Sequence, residues 1–171
     1  MLQTIPVSSL ELNPFHTIAK DMMLITAGEA NHWNTMTASW GGMGELWGKD
    51  VLFIFVRKSR YTHEFLDESD GFTCSFFPPG NEKNLRYLGN HSGRDEDKVA
   101  NVGFHSALLA PGRISFTEAN LVFSCRKLYK TEILPNPTFL PEVEKCYGDK
   151  DYHTLYVGEV EAVYAASDPA L

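Results

Sequence analysis

One segment constrains the fold more than any other. The run VLFIFVR at 51–57 is apolar at six consecutive positions and ends on an arginine. Successive side chains of a β-strand point to opposite faces of a sheet, so an unbroken apolar run predicts a strand that is apolar on both faces. The run is too short for most helices and is rich in β-branched and aromatic residues. It is therefore predicted to lie inside a sheet and not at its edge.

Further segments predict consecutive strands around this one. They are rich in β-branched and aromatic residues and are bounded by turn residues. They comprise residues 22–27, 34–40, 72–77, 114–133 and 154–164. The fourth segment reads as two strands divided by a turn or bulge near 118–120, and the last alternates as a closing strand. Pro78 and Pro79 stop the third, because proline cannot donate to a ladder.

Helical signals are fewer and shorter. Residues 63–68 follow Thr62 as an N-cap, residues 81–88 stop at Gly89 as a left-handed C-cap, and a third short helix starts near Asp95. Roughly six or seven strands with isolated short helices favour a mainly β fold, a barrel with helical excursions, over βαβ repeats. Because 171 residues with 43% hydrophobic content suit a single core, residues 1–171 are predicted to form one domain.

Charge and cysteine usage narrow the class of protein. A formal charge of -7 supplies no positive field for a polyanion, so a nucleic-acid binder is excluded. No basic leader and no long apolar run is present, which predicts neither a signal peptide nor a membrane span. Cys74, Cys125 and Cys146 lack metal-knuckle spacing and are odd in number, which indicates reduced thiols in a cytoplasmic protein. The first two are expected to be buried small apolar residues.

Three familiar site motifs fail against this sequence. The glycines at 41–44 follow a strand, but Trp47 occupies the third glycine position of a dinucleotide-binding fingerprint. His63 begins a segment like a zinc-protease helix, but Asp67 stands where the second histidine is needed, and no metal is predicted. No GxSxG elbow and no Cys/His nucleophile pair supports hydrolysis.

A polar segment directly after the apolar run has the composition of a phosphate site. It places two guanidinium groups and three hydroxyls within six residues, just ahead of a predicted helix N-terminus. A phosphate is held by guanidinium forks, hydroxyl donors and free backbone N–H groups together. The residues concerned are Arg57, Ser59, Arg60, Tyr61 and Thr62. The alternative is that both arginines are solvated surface residues.

Other polar positions have a functional and a structural interpretation. The strand NTMTASWGG at 34–42 ends in small residues that let a flat ring approach the backbone, and Trp40 offers a stacking surface. A tryptophan beside glycines is more often a core or interface residue. The loop NHSGRDEDKV at 90–99 carries charges that could serve a ligand or solvent alone. His153, ahead of an apolar strand, is more often a hydrogen-bonded structural residue than a ligand.

Taken in order, these segments resemble the flavin reductase and flavoredoxin family. The resemblance spans almost the whole chain and is carried by LITAG at 24–28, NTMTASWGG at 34–42, LWGKDVLFIFVRKSRYTHEFL at 46–66, FTCSFF at 72–77, SGRDEDKV at 92–99 and HTLYVGEV at 153–160. The long middle run is the specific part. The WGG resembles the flavoredoxin-like branch more than the branch that serves aromatic hydroxylases. The family implies an FMN-binding split β-barrel.

The resemblance also implies which residues bind FMN. In chain order they are Asn34, Thr35, Met36, Thr37, Ser39, Trp40, Arg57, Ser59, Arg60, Tyr61, Thr62, Ser75, Phe76, Arg94, Asp97, Lys98 and His153. The strand 34–40 is implied to edge the ring and ribityl chain, and 57–62 to hold the phosphate. Lys98 and His153 are implied to lie beside the redox-active ring as the catalytic pair. The family pattern has a small residue or lysine where this chain has His91.

The implied activity is an NAD(P)H-dependent flavin reductase, an oxidoreductase in which hydride passes directly from nicotinamide to flavin N5. Such chemistry needs no acid and base pair, because the cofactor supplies the reactivity. Two alternatives remain open: an electron carrier with bound FMN and no nicotinamide site, and an FMN-binding module without turnover. The family also implies a homodimer with the flavin near the interface, and a redox protein partner fits the acidic surface.

Overall fold

A computed structural model describes residues 2–167 and shows a mainly β chain with a few short helices. In that range the strands are β1 Leu2–Ile5, β2 Met23–Glu29, β3 His32–Ala38, β4 Gly41–Leu46, β5 Lys49–Arg57, β6 Gly71–Phe76, β7 Ser106–Ala110, β8 Arg113–Phe116, β9 Leu121–Glu132 and β10 His153–Ala166. The α-helices are α1 Pro14–His16, α2 Tyr61–Glu68, α3 Glu82–Asn90, α4 Lys98–Asn101 and α5 Pro141–Glu144. A π-helical turn covers Thr17–Asp21, and 3-10 turns cover Val7–Ser9 and Lys145–Tyr147.

Eight strands form one antiparallel sheet. Its order is β3-β2-β6-β9-β10-β5-β4, and β1 is added to β10. The hairpin of β7 and β8 is separate. Within residues 2–167 the two end strands, β3 and β4, do not pair with each other, so hydrogen bonds do not close this sheet into a barrel. The mainly β class is confirmed, and the two ends of the sheet are consecutive in the chain.

The prediction for residues 51–57 is confirmed in its main point. β5 lies between β10 and the end strand β4, so it is not an edge strand. Leu52, Ile54 and Val56 are buried in the core, but Phe53 and Phe55 are only partly buried. One face of β5 is therefore covered less completely than the apolar run suggests, and Phe55 on that face borders the grooves described below.

The last predicted strand forms, but its predicted position is wrong. β10 pairs along one side with β9, and along the other with β5 at His153–Glu159 and with β1 at Val163–Ala166. It is an inner strand and not a closing one. Alternation of apolar and polar residues shows that a strand has two unlike faces, but it does not show how many neighbours the strand has.

Three observed strands were not predicted. They are β1, β4 and β7. The strand β4 begins with Gly41 and Gly42, which have low intrinsic strand propensity, and it forms because its backbone pairs with β5 at Ile54 and Phe53. Pairing within the β4–β5 hairpin thus outweighs the low strand propensity of the glycines that follow β3.

All three predicted helices form, and each has at least one boundary that differs from prediction. Arg60 is the N-cap of α2, and Thr62 lies inside the helix with its side chain buried. α3 continues through Gly89 to Asn90, because Gly89 serves close packing and not a left-handed cap: a Cβ there would lie 3.1 Å from Thr37. α4 begins at Lys98 and not near Asp95, since the Asp97 carboxylate caps it by accepting from the amide of Ala100. Among residues 2–167, no helix combines the length and apolarity needed to cross a membrane.

In residues 2–167 the core consists of two buried clusters. The larger packs residues from β2, β5, β6, β9 and β10, and the smaller lies under α3 and the β7–β8 hairpin. Cys74 and Cys125 are fully buried in the larger cluster, as predicted, and burial raises the pKa of both thiols. Cys146 is exposed, and all three cysteines are free. The rigid sheet fixes the ends of β3 and β5, from which the candidate site is built.

Candidate functional site

A cavity of about 300 Å³ opens where several elements meet. Its wall combines β3, the end of β5, the first turn of α2, the loop after α3 and the segment just before β10. The lining residues are Asn34, Met36, Arg57, Ser59, Arg60, Tyr61, Thr62, Asn90, His91, Ser92, Gly93, Lys98, Asp149 and Asp151. The cavity thus brings together the whole predicted phosphate segment and residues separated from it by more than 80 positions in the chain.

The polar segment after β5 is shaped by a tight turn. β5 ends at Arg57 and α2 begins at Tyr61, and the amide of Arg60 donates to the carbonyl of Arg57 at 3.0 Å. In the described part of the chain, the first-turn amides of Tyr61 and Thr62 donate to no other group. Free amides at a helix N-terminus, together with the helix dipole, favour an anion. This wall of the cavity is therefore suited to negative charge.

Asn34 joins β3 to this helix start. Its Nδ2 donates to the hydroxyl of Thr62 at 2.8 Å, and both residues are buried. The loop after α3 closes against the same side chain through Gly93, where a Cβ would lie only 2.2 Å from Asn34 Oδ1. A glycine is required here by space, not by backbone conformation. Asn34 therefore holds two walls of the cavity at once.

Two cations of the cavity bind the C-terminal end of α3. Arg60 donates to the carbonyl of Gly89 at 2.7 Å, and Lys98 Nζ donates to the carbonyls of Leu88 at 2.8 Å and His91 at 3.0 Å. Lys98 is only 4% exposed. Burial, and secondly the charge of Arg60, lower the pKa of Lys98 to about 8. It therefore stays largely protonated at pH 7, and it also serves as a C-terminal cap.

Arg94 lies outside the cavity wall and supports it from behind. Its guanidinium stacks over the ring of Tyr61 at 4.5 Å, forms an ion pair with Glu64, and donates to the carbonyl of Ser59 at 3.4 Å. A cation over an aromatic face contributes about 0.5 to 1 kcal/mol at an exposed site. Arg94 therefore links the loop after α3 to the start of α2, and its contacts are those of a residue that positions the cavity wall.

A second cavity, of about 140 Å³, continues from the first along β3. It shares Met36, Arg57 and Arg60 with the larger cavity. Its remaining lining residues are Thr37, Ala38, Ser39, Trp40, Phe55 and His153. Most of the predicted strand 34–40 thus borders one continuous groove. Arg57 and Arg60 line both parts of it, and Trp40, Phe55 and His153 line the smaller part.

Aromatic side chains surround His153 at the end of this groove. Its ring lies 5.1 Å from that of Trp40, centroid to centroid, and its Nδ1 is 2.9 Å from the hydroxyl of Tyr147. Burial, and secondly the charge of Arg57, lower the pKa of His153. The imidazole is therefore neutral at pH 7. His153 offers a polarisable face and a neutral donor, whereas Lys98 is the buried cation of the pair.

An apolar cavity of about 580 Å³ adjoins the groove on the side of α1. It shares Ser39, Trp40 and Phe55 with the second cavity. Phe15 on its rim is 89% exposed and Trp40 is 47% exposed. Large apolar side chains grouped at a surface mark a contact site for another molecule more often than isolated ones do.

Two aspartates that the sequence did not single out occupy the polar cavity. Arg57 donates to Asp149 at 2.8 Å, and the amide and hydroxyl of Ser59 both donate to Asp151. Nothing in the run GDKD at 148–151 distinguishes these carboxylates from ordinary solvated loop residues. Only the tertiary fold, which brings this segment beside β5, could identify them.

Several residues implied by the family pattern do not line these cavities. Thr35 is a buried residue of β3, and its hydroxyl lies 2.9 Å from that of Thr26 on the neighbouring strand β2. Ser75 and Phe76 lie in the interior, where the Ser75 hydroxyl is 2.9 Å from that of Ser115. Asp97 is exposed and caps α4. In the described part of the chain, the contacts of these residues are those of core packing, of hydrogen bonds between strands, or of a helix cap.

Comparison with solved structures reveals the same fold in several proteins. The flavoredoxin of Methanosarcina acetivorans is 22% identical, with a TM-score of 0.69 over 95% of this chain and 78% of that one. The Thermus thermophilus FMN-binding protein with bound 1-cyclohex-2-enone is 23% identical, with a TM-score of 0.66 over 95% and 80%. The NADH:FAD oxidoreductase of Streptomyces globisporus C-1027 is 21% identical, with a TM-score of 0.65 over 85% and 75%.

A search of the curated proteins found no match. The family model described as a flavin reductase like domain, in contrast, matches residues 15–171, which is most of the chain and includes every residue of the cavities described apart from Pro14. The resemblance inferred from the sequence motifs is thereby confirmed. The protein belongs to the flavin reductase-like domain family.

Proposed function

We propose that this protein binds FMN in the continuous groove and exchanges electrons through it, with NAD(P)H as the donor. The observation that carries the proposal is the convergence, in one groove, of an anion-binding wall at 57–62 with the aromatic wall of Trp40, Phe55 and His153. One end suits a phosphate and the other a flat ring. The two cavities, about 300 and 140 Å³, together lie near the lower end of the range for small-ligand sites, about 300 to 1,000 Å³.

The residues of the larger cavity fit the phosphate and the ribityl chain. Arg57 and Arg60 supply guanidinium donors, Ser59 a hydroxyl, and the first turn of α2 its unpaired amides. Asn34 also lines this cavity, with its Oδ1 beside Gly93. These groups bind and orient. FMN, when bound, supplies the redox chemistry by accepting or releasing hydride at N5.

The residues of the smaller cavity fit the ring system. Trp40 and Phe55 provide apolar surface that excludes water, and His153 is held in place by Tyr147. Negative charge that develops on a reduced ring is best stabilised by a cation in a site of low dielectric. Lys98 is protonated at pH 7 and buried, whereas His153 is neutral. Lys98 lines the larger cavity and not the ring cavity, so we assign it stabilisation of charge on the part of the flavin that reaches the larger cavity, and we assign positioning of the ring or nicotinamide to His153.

The proposal extends to the arrangement of the two end strands of the sheet. β3 and β4 are consecutive in the chain and form the two ends of the sheet, joined only through Ser39 and Trp40. We infer that they face each other as the edges of a split barrel, with the flavin ring at the split. The support is that Trp40, at this junction, borders both the ring cavity and the apolar one.

The apolar cavity beside the ring supports a homodimer. Phe15, 89% exposed, and Trp40, 47% exposed, would be covered by a second copy of the chain. Burying one such aromatic side chain is favourable by roughly 1.5 to 3 kcal/mol. The flavin would then lie near the subunit interface. Phe15→Ser should give a monomer by light scattering, and a wild-type monomer would remove the interface proposal alone.

An electron carrier is the second candidate. It is supported by the likeness to flavoredoxin, whereas the likeness to an NADH:FAD oxidoreductase supports the enzyme. Both bind a flavin, and they differ in whether a nicotinamide is oxidised. Anaerobic mixing of the FMN-loaded protein with NADH or NADPH, followed by the loss of flavin absorbance, separates them. We expect bleaching by at least one nucleotide. Bleaching by dithionite alone would favour the carrier, and no FMN uptake in equilibrium dialysis would overturn both.

A further inference from the structure

The donors that suit a phosphate are already bonded to carboxylates. Arg57 Nη1 donates to both oxygens of Asp149, at 2.8 and 3.1 Å. The amide of Ser59 donates to one oxygen of Asp151 at 3.3 Å, and its hydroxyl donates to the other. Arg57 Nη2 donates to the carbonyl of Cys146 at 2.8 Å. The segment 146–151 is thus attached to the anion-binding wall by its own acidic side chains.

These two carboxylates resemble a phosphate group in total charge, and they engage the same donors that would bind it. Together they carry two negative charges, and a phosphate monoester carries about 1.5 to 2 at pH 7. Both line the same cavity as the donors that they engage. The backbone amide of Asp151 donates to Asp149, and this bond, together with the charge of Arg57, lowers the pKa of Asp149. Asp149 is therefore ionised at neutral pH.

The same contacts are weak enough to be displaced. The Asp149 side chain is 60% exposed, so on release it returns to water with little change in solvation. Exposed ion pairs contribute much less to stability than charge-assisted hydrogen bonds from a guanidinium to a phosphate in a partly enclosed site. A phosphate that enters the cavity would therefore displace the aspartates from Arg57 and Ser59. Breaking the contacts of the aspartates would reduce the net free energy of phosphate binding.

We propose that Asp149 and Asp151 are specificity-determining residues that compete with the phosphate of a flavin for Arg57 and Ser59. This inference rests on the proposed function. The competition lowers the affinity for phosphorylated flavins and leaves that for riboflavin unchanged, because riboflavin has no group that requires these donors. The competition also couples phosphate binding to the ring site. Tyr147 belongs to the displaced segment: its ring centroid lies 5.7 Å from Arg57 Cζ, and its hydroxyl is hydrogen-bonded to His153.

The test compares FMN and riboflavin by quenching of flavin fluorescence, at one ionic strength, with wild type and the double variant Asp149→Asn, Asp151→Asn. We expect FMN to bind the variant roughly threefold to thirtyfold more tightly, the range for two exposed ion pairs, and riboflavin to change less than twofold. The matched control, Asp50→Asn with Glu68→Gln, alters the net charge equally at two exposed residues outside the polar cavity. It should leave the ratio of the two affinities unchanged.

The opposite sign would overturn the proposal. If the aspartates orient Arg57 for the phosphate and remain in place, the double variant binds FMN more weakly; an unchanged ratio of affinities would also remove the competition. Hydrogen exchange gives an independent readout: amides at 146–151 should lose protection with FMN and keep it with riboflavin. Failure of wild type to bind either flavin would instead overturn the proposed function, so the two failures are distinct.

Discussion

The side-chain amide of Asn34 donates to the hydroxyl of Thr62 across 2.8 Å, which joins the end strand β3 to the first turn of α2 at the rim of the polar cavity. The remaining oxygen of Asn34 lies against Gly93 of the opposite loop. Three segments far apart in the chain are therefore fixed relative to one another through one buried amide.

Gly93→Ala tests this arrangement. The new Cβ would lie 2.2 Å from Asn34 Oδ1, so the loop or the amide must move. We expect FMN affinity to fall by about tenfold and the free energy of unfolding by about 1 to 3 kcal/mol, the usual cost of overpacking. Gly44→Ala is the control, since nothing lies within 4 Å of a Cβ there. Titration with FMN and urea unfolding measure both quantities, and equal effects of the two variants would contradict the role of Gly93.

Arg57→Ala and Arg60→Ala test the phosphate wall. Each removes charge-assisted hydrogen bonds of about 1.5 to 3 kcal/mol, so FMN affinity should fall by roughly tenfold to a hundredfold while riboflavin affinity stays nearly constant. Arg86→Ala, on the exposed face of α3, is a control for loss of positive charge. Fluorescence titration with both flavins decides the matter. Equal losses for FMN and riboflavin would mean that the two arginines serve the fold.

The sequence predicted the polar wall because its chemistry is local. Two arginines, a serine, a tyrosine and a threonine lie within six consecutive residues that begin with the last residue of β5, and all of them line the cavity. Asp149 could not be predicted, because an exposed loop carboxylate has no periodicity and acquires its meaning only from a neighbour 92 residues away. The residues implied by the family pattern divide in the same way. Trp40, which the sequence itself also indicated as a stacking surface, borders the groove, whereas Ser75, implied by the pattern alone, is buried inside the sheet.

The position of a strand in the sheet was predictable where the composition of that strand alone determines its burial. The interior position of β5 follows from its apolar run, but β4 does not follow from a sequence that begins with Gly41 and Gly42. That strand exists because it pairs with β5 across a two-residue turn at Trp47 and Gly48, and its glycines give it no strand propensity that composition could reveal. The predicted end of α3 was wrong because Gly89 does not terminate the helix: it is packed so closely against Thr37 that a larger side chain would crowd it.

Lys98→Met separates a redox role from a structural one. It removes the donor to the carbonyls of Leu88 and His91, so the free energy of unfolding should fall by about 1 to 3 kcal/mol. If its charge also acts on the ring, the midpoint potential of bound FMN should become more negative.

Lys127→Met is the matched control for that substitution. Lys127 donates to the carbonyls of Leu66 and Asp67 at the end of α2, and it does not line the groove. It should cost similar stability and leave the potential unchanged. Spectroelectrochemistry and thermal unfolding of both proteins provide the comparison. Equal potentials in the two variants would leave Lys98 as a helix cap.

The buried histidine predicts a pH dependence of stability. Burial lowers the pKa of His153 from 6.5, so between that value and its folded pKa the unfolded chain binds more protons than the folded one. The stabilising contribution is therefore complete above about pH 6.5 and is lost as the pH falls through the folded pKa.

His153→Gln should flatten this dependence. In urea titrations between pH 7.5 and pH 5, wild type should lose at most about 1.4 kcal/mol per pH unit on account of this residue, and the variant should lose less. His63, whose pKa burial also lowers, accounts for part of the remaining slope. An unchanged slope in the variant would mean that His153 titrates alike in the folded and unfolded chain.

The position of β10 has a consequence for biosynthesis. This strand alone connects the pair β4–β5 to the group β3-β2-β6-β9, and it follows every other described strand in the order of synthesis. Until it leaves the ribosome, the nascent chain carries two separate sheets whose exposed edges, on β5 and β9, have no partner. Such edges invite pairing with other chains. The protein should therefore depend on chaperones early and become independent of them once residues 153–166 have emerged.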